Sequence, residues 1–147
     1  MRRYVRTIKK GVTLIKEFKE WYLQIRAFEI QDNGKTYAKL GARIYKKWVP
    51  TSGEVITRLR GINRLKIVAS GSRKKALENH KELTRIWEWR HFISAVALFL
   101  WAIGAGLLIG IEHFYTSIVI NIFVNIYPII VQRYNRIRIS ILVSKMH

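Results

Sequence analysis

Residues 83–94 contain side chains whose types and spacing could catalyse a proton transfer. Glu88 precedes His91 by three residues, so the two side chains share a face if this stretch is helical. A carboxylate at that spacing can orient and polarise an imidazole, and a histidine held in this way is a common general base. Thr84, four residues before Glu88, and Ser94, three residues after His91, extend the same polar stripe. The pattern predicts His91 and Glu88 as a catalytic pair, and a surface ion pair is the alternative.

A second polar series has the same helical spacing, and it consists of Asn121, Asn125, Pro128, Gln132 and Asn135 or Arg136. Polar side chains at membrane depth usually face protein or water rather than lipid. Pro128 has no backbone N–H, so it frees a carbonyl in the preceding turn. The alternatives are that Asn121 and Asn125 only join helices by hydrogen bonds, and that the neighbouring arginines only anchor the chain at the interface.

A long stretch with almost no charge separates the two polar series. Glu112 is the only acidic or basic residue between His91 and Gln132, histidines aside. Residues 93–111 and 114–131 are each about long enough to span a bilayer, and Glu112 and His113 form the turn between them. We therefore predict a mainly α-helical integral membrane protein whose two spanning helices form an antiparallel hairpin.

Basic residues flank both ends of this hairpin, and they are Arg85, Arg90, Arg133, Arg136 and Arg138. The turn contains no Lys or Arg, so the positive-inside rule places both termini in the cytoplasm. We predict three regions that act as one functional unit: a basic cytoplasmic or interfacial region at 1–90, the hairpin at 91–132 and a basic cytoplasmic tail at 133–147.

The net charge of +18 is concentrated before the hairpin, where residues 1–90 carry 23 of the 27 Lys and Arg. Anionic lipid headgroups beside a membrane helix explain this charge. A nucleic-acid binder would have a similar charge, but the apolar hairpin has no obvious place in such a protein. The chain has no cysteine, so disulfides and cysteine-bound metals are excluded.

Residues 12–28 have apolar side chains at helical spacing and predict an amphipathic helix, which either lies in the membrane interface or packs on the rest of the protein. Residues 31–34 predict a turn. Residues 62–68 could form a helix or a short strand. Residues 73–90 predict a helix that continues into the first membrane span.

The two polar series resemble the glycosyl-4,4'-diaponeurosporenoate acyltransferase family, whose members are small bacterial membrane proteins of carotenoid (staphyloxanthin) synthesis. The first matching set is Thr84, Glu88, His91, Phe92 and Ser94, with Phe92 where the family has Trp. The second set is Asn125, Pro128, Gln132, Arg133, Tyr134, Asn135, Arg136 and Arg138. A looser similarity includes Gly34, Lys35, Lys47, Trp48 and Pro50. The resemblance covers roughly residues 28–138.

The resemblance implies a multi-pass protein of the bacterial inner membrane that esterifies a hydroxyl of a glycosylated carotenoid or similar lipid. His91 would be the base, with Glu88 as its partner. The implied substrate-binding residues are Thr84, Ser94, Asn125, Gln132, Arg133, Tyr134, Asn135, Arg136 and Trp48. Asn125 and Gln132 would stabilise the oxyanion, and Arg133 and Arg136 would bind an anionic part of the donor. We expect an acyl thioester as donor substrate, no tightly bound cofactor and no metal.

Two other functions fit the same sequence. A non-catalytic membrane scaffold would assemble other membrane enzymes of the pathway through its basic N-terminal region. A membrane-tethered nucleic-acid or ribosome binder would bind with strong salt dependence. The partners that we expect are membrane lipids with anionic headgroups and a lipid or glycolipid acceptor.

Overall fold

A computed structural model of the protein describes residues 2–48 and 73–146, and all regular secondary structure in these ranges is helical. The α-helices are α1 (Arg2–Leu23), α2 (Ala27–Gln31), α3 (Lys35–Tyr37), α4 (Arg43–Trp48), α5 (Arg73–Leu108), α6 (Ile111–Asn121) and α7 (Tyr127–Ser144). The π-helical segment Ile122–Ile126 joins α6 to α7, and the segment Ala38–Ala42 joins α3 to α4 across a kink at Gly41, which has φ +89°. The predicted mainly α-helical fold class is confirmed.

Two helical stretches, Lys74–Leu108 and Ile111–Ser144, are long and apolar enough to cross a membrane. Only 17% of the apolar window of each is buried inside the protein, whereas the core helix of a soluble protein is mostly buried. The two stretches pack side by side as the predicted hairpin. The predicted helix at 73–90 continues without a break into the first of them. These properties are consistent with a membrane protein.

The inner face of α5 is a stripe whose positions recur every three or four residues. Thr84 and Glu88 are buried at its polar end, and Ala95, Ala102 and Ala105 are buried along its apolar length. Small side chains let neighbouring helices approach closely in a membrane. The small residues on this stripe therefore let the second span pack closely along α5, which brings the polar end of α5 beside α7.

The turn of the hairpin lies earlier than the sequence predicted. α5 ends at Leu108, and Gly110 has φ +154°, a conformation that side chains disfavour. Glu112 and His113 therefore lie in the first turn of α6 rather than in the connection. A carboxylate there is favourable because it complements the positive end of the helix dipole.

Pro128 accounts for the π-helical segment in the second span. The Tyr127 N–H donates to the Ile122 carbonyl, five residues back. The next donor in that pattern would be residue 128, where proline has no N–H, so the Phe123 carbonyl loses its helical partner. The Tyr45 hydroxyl donates to that carbonyl at 2.8 Å. Pro128 was expected to free a carbonyl, and the carbonyl that it frees, that of Phe123, thus links the second span to α4.

The short helices α2 to α4 pack on α7. The predicted turn at 31–34 is confirmed, and Gly34 adopts φ +71°. A Cβ at Gly34 would lie 3.2 Å from the Tyr134 ring, so glycine permits this close approach. Ala42, Val131 and Tyr134 form a buried apolar cluster between α7 and the segment before α4.

The amphipathic helix predicted at 12–28 is divided in the structure. α1 ends at Leu23, and Arg26 has extended backbone angles before α2 begins. The Glu29 carboxylate accepts a hydrogen bond from the Arg26 backbone N–H, and the Glu29 N–H donates to the Arg26 carbonyl, so Glu29 caps the start of the new helix. The predictions for residues 62–68 and for the Trp48 side chain lie outside the described part of the protein.

Candidate functional site

Glu88 is at the centre of a buried ionic network at the polar end of the hairpin. Its side chain is fully buried, and both its oxygens face arginines of α7. Arg133 Nη1 donates to Oε1 at 3.1 Å, and Arg136 Nη1 lies 2.9 Å from Oε2. The expected contact between Glu88 and His91 is therefore not formed, because the two arginines occupy the carboxylate. Burial of this carboxylate is tolerated only because cations pair with it.

Arg133 donates all five of its N–H groups to acceptors within the protein. Besides Glu88, it binds both Glu29 oxygens, with Nε to Oε1 at 2.8 Å and Nη2 to Oε2 at 3.1 Å. It also donates to the carbonyls of Tyr22 and Gln24, each at 2.8 Å. A guanidinium has five N–H donors, so none of them is left for a substrate. Arg133 instead ties α1 and α2 to the hairpin.

Glu29 is the second acid of this network, and the spacing of the polar residues in the sequence does not predict it. The Tyr37 hydroxyl donates to its Oε1. Burial alone would raise the pKa of Glu29, but hydrogen bonds from Arg133, Tyr37 and the Arg26 backbone outweigh burial and lower it. Burial and the Glu29 hydrogen bond raise the pKa of Tyr37 to about 12. The sequence signal that could have identified Glu29 is local: it is an acidic residue three positions after Arg26, the residue that precedes α2.

Arg136 differs from Arg133 because most of its donors have no partner in the part of the chain that the structure describes. Its side chain is 1% exposed, yet Nε and Nη2 donate no hydrogen bond to any described residue. The Ser140 hydroxyl, one turn further along α7, is also buried and has no hydrogen-bond partner in residues 2–48 and 73–146. Buried donors without partners are rare and costly. Arg136, beside Glu88, and Ser140, four residues further along α7, therefore both have donors that the described residues do not use.

His91 belongs to a separate chain of hydrogen bonds between the two spans. Its Nδ1 lies 3.4 Å from Asn125 Oδ1. Asn125 Nδ2 donates to Asn121 Oδ1 at 2.9 Å, and Asn121 Nδ2 donates to the Ala95 carbonyl at 2.9 Å. Both asparagines are buried. These hydrogen bonds through Asn121 and Asn125 form an amide chain, which links the first span to the second and ends at the His91 imidazole.

The Ala95 carbonyl fixes which atom donates in each hydrogen bond of the amide chain, because a carbonyl can only accept hydrogen bonds. The Asn121 atom that faces it must be Nδ2, which turns Asn121 Oδ1 toward Asn125. Asn125 in turn presents its own Oδ1 to His91. An acceptor opposite Nδ1 favours the neutral tautomer with the proton on Nδ1. His91 Nε2 then has a lone pair, and it makes no hydrogen bond to the described residues.

An aromatic cluster includes two residues close to His91 in the sequence, and its members are Phe18 and Tyr22 of α1 and Trp89 and Phe92 of α5. The Tyr22 and Phe92 ring centroids are 4.4 Å apart. The cluster joins the end of α1 to α5 at the point where charged residues give way to the apolar span.

Comparison with protein families matches residues 19–145 to the family described as glycosyl-4,4'-diaponeurosporenoate acyltransferase. The chain belongs to this family. No curated protein and no solved structure matches it. The match covers nearly the whole chain, so it includes both spans and all the residues of the ionic network and the amide chain.

Other residues selected from the resemblance to the acyltransferase family lie around this centre. Tyr134 accepts a hydrogen bond from Arg43 Nε at 3.2 Å. Asn135 accepts one from Lys46 Nζ at 3.5 Å. Both side chains therefore join α7 to the α4 region. Gln132 is buried on the polar face of α7, and its amide makes no hydrogen bond to the described residues.

Two residues of the first polar stripe contribute less than the sequence suggested. Thr84 is buried, but its hydroxyl donates to the Lys81 carbonyl within the same helix at 2.6 Å. Ser94 is exposed, because the next residue, Ala95, occupies the inner face of α5 at this level. Within residues 2–48 and 73–146, no group of three or more His, Asp or Glu side chains could hold a metal ion.

Proposed function

We propose that this protein is a membrane-bound acyltransferase that esterifies a hydroxyl of a glycosylated carotenoid or a similar lipid. The acyl donor is a thioester, and the reaction takes place at the cytoplasmic leaflet. The chain's membership of the acyltransferase family supports the reaction type. The basic residues beside the polar end of the hairpin support a cytoplasmic location for that end.

His91 Nε2 is the general base in this proposal. It takes the proton of the acceptor hydroxyl while the hydroxyl oxygen attacks the thioester carbonyl. When the resulting tetrahedral oxyanion collapses, the thiolate leaves and receives the proton from His91. The ester and a free thiol are the products. The observation that supports this assignment is the amide chain from the Ala95 carbonyl to Asn125, because an acceptor opposite Nδ1 favours the proton on Nδ1 and the lone pair on Nε2.

The other roles differ from those expected from the sequence alone. Asn125 positions His91, so Gln132 is the side-chain donor that remains for the oxyanion. Arg133 is fully used in holding α1 and α2. Arg136 and Ser140 have unused donors, and they bind a polar or anionic part of the substrates. Glu88 keeps Arg136 in place and does not act on the imidazole.

The proposal is tested by acyl transfer to glycosyl-4,4'-diaponeurosporenoate in membranes that contain the wild-type protein or a His91→Ala variant. Mass spectrometry of the extracted lipids measures the acylated product. General bases typically contribute 10²- to 10⁴-fold, so we expect His91→Ala to lower the rate by roughly 10²-fold or more. His113→Ala is the matched control, because His113 is half exposed at the opposite end of the hairpin.

We expect the His113→Ala variant to be as active as the wild type. Full activity of a normally inserted His91→Ala variant would remove His91 from the mechanism. Absence of acyl transfer by the wild type to any lipid hydroxyl, with several acyl thioesters tried as donors, would overturn the proposed function as a whole.

A further inference from the structure

The helix α1 carries an apolar surface that nothing in the described part of the protein covers. Leu14 is 65% exposed, Ile15 is 62% exposed and Trp21 is 57% exposed. Residues 2–23 also contain seven Lys and Arg and two Glu, so this helix is too charged to span a membrane. An exposed apolar flank of this size beside basic residues marks an interaction surface.

The position of α1 relative to α5 sets the depth at which this surface lies. Phe18 and Tyr22 contact Phe92, with ring centroids 6.0 Å and 4.4 Å apart. Glu20 forms an ion pair with Arg85 at 2.5 Å. These contacts lie just before the stretch of α5 in which charged residues cease. The end of α1 is therefore held at the level where α5 enters its apolar span.

The charges near this surface select its partner. Lys16 is exposed, and Lys19 lies over the Trp89 ring with its Nζ 6.0 Å from the centroid. A second copy of this chain would bring another strongly basic face to the same place, because each chain has a net charge of +18. An anionic lipid surface offers the opposite charge together with an apolar layer for Leu14 and Trp21.

We propose that α1 is an interfacial helix, with its apolar flank inserted among the headgroups and upper acyl chains of an anionic leaflet. The exposed flank of α1 is then continuous with the lipid-facing side of α5, where Ile93 and Val96 are exposed. Arg133 holds the carbonyls at the end of α1, so the lipid-bound helix and the ionic network form one assembly. This inference does not depend on the acyltransferase activity.

The absence of cysteine from the chain allows a direct test with a single spin label. Full-length Leu14→Cys and Lys16→Cys variants are labelled in nanodiscs that contain phosphatidylglycerol. The two positions are about 200° apart around a helix, and both side chains are exposed, so neither substitution removes a buried contact. Collision with oxygen reports the apolar layer, and collision with a water-soluble nickel chelate reports the aqueous phase.

We expect the label at Leu14 to be accessible to oxygen and protected from nickel, with the opposite result at Lys16. In nanodiscs of phosphatidylcholine alone, we expect the label at Leu14 to become more accessible to nickel. Equal nickel accessibility at both positions would place the helix in water and overturn the proposal. A label at Leu14 shielded from both reagents would show a protein partner and overturn it too. An unchanged depth in phosphatidylcholine would refute the anionic lipid as the partner.

Discussion

The two ends of the hairpin each contain a glutamate and a histidine that are close in sequence, yet their surroundings are opposite. At the turn between the two spans, the side chains of Glu112 and His113 are 71% and 51% exposed, and His113 Nε2 lies 3.9 Å from Glu112 Oε1. At the other end, Glu88 is buried between two arginines and His91 is held by Asn125. The surroundings of a Glu–His pair are therefore set by its neighbours on other helices rather than by its spacing in the sequence.

The largest difference between the two ends should appear in stability. Glu88→Ala would leave Arg136 and one donor of Arg133 buried without a carboxylate. Removing one partner of a buried ion pair typically costs about 3–5 kcal/mol. Glu112→Ala is the control, since an exposed substitution usually changes stability by less than about 0.5 kcal/mol. Unfolding in mixed micelles of detergent and SDS measures both, and equal small losses would contradict the ionic network.

The next effect concerns the orientation of His91. Asn125→Leu removes the acceptor that faces Nδ1, whereas Asn125→Asp keeps an oxygen there. We expect the leucine variant to lower kcat by roughly 10- to 100-fold, which is less than the loss of the base itself. The aspartate variant should retain more activity than the leucine variant. If the two variants are equally impaired while both remain folded, Asn125 has only a structural role.

The sequence alone predicts part of this site. The spacing of three and four residues in the second span correctly predicts one polar face, and Asn121, Asn125, Gln132 and Arg136 are all buried on it. The same spacing places Glu88 and His91 on one face of α5. It cannot show that two arginines from α7 capture the carboxylate, because that contact depends on how the two helices are aligned.

The remaining differences also have physical causes. Glu29 has no periodic signal, since its role depends on Arg133 more than 100 residues later. The hairpin turn was predicted at Glu112 and His113 because these are the polar residues there. The backbone turns instead at Gly110, where the absence of a Cβ permits φ +154°. Conformational freedom, rather than polarity, decides the position of this turn.

A smaller effect is expected from acidification at the Glu29 side of the network. The folded state lowers the pKa of Glu29 below the ordinary 4.5. Its stabilising contribution is therefore complete above about pH 4.5 and is lost as the pH falls through the lower folded value. The stability difference between the wild type and Glu29→Gln should be largest near neutral pH and should shrink in acid. The same difference at every pH would contradict this account.

His91 can act as the proposed base only if the amide chain gives it a protonated Nδ1 and an unprotonated Nε2. The most direct test is ¹⁵N NMR of histidine-labelled protein in nanodiscs near neutral pH, with a His91→Gln variant used to assign the signals. We predict that His91 has its proton on Nδ1 and a lone pair on Nε2, and that His113 lacks this fixed tautomer. A His91 imidazole with its proton on Nε2 would contradict the proposed geometry and its role as the base.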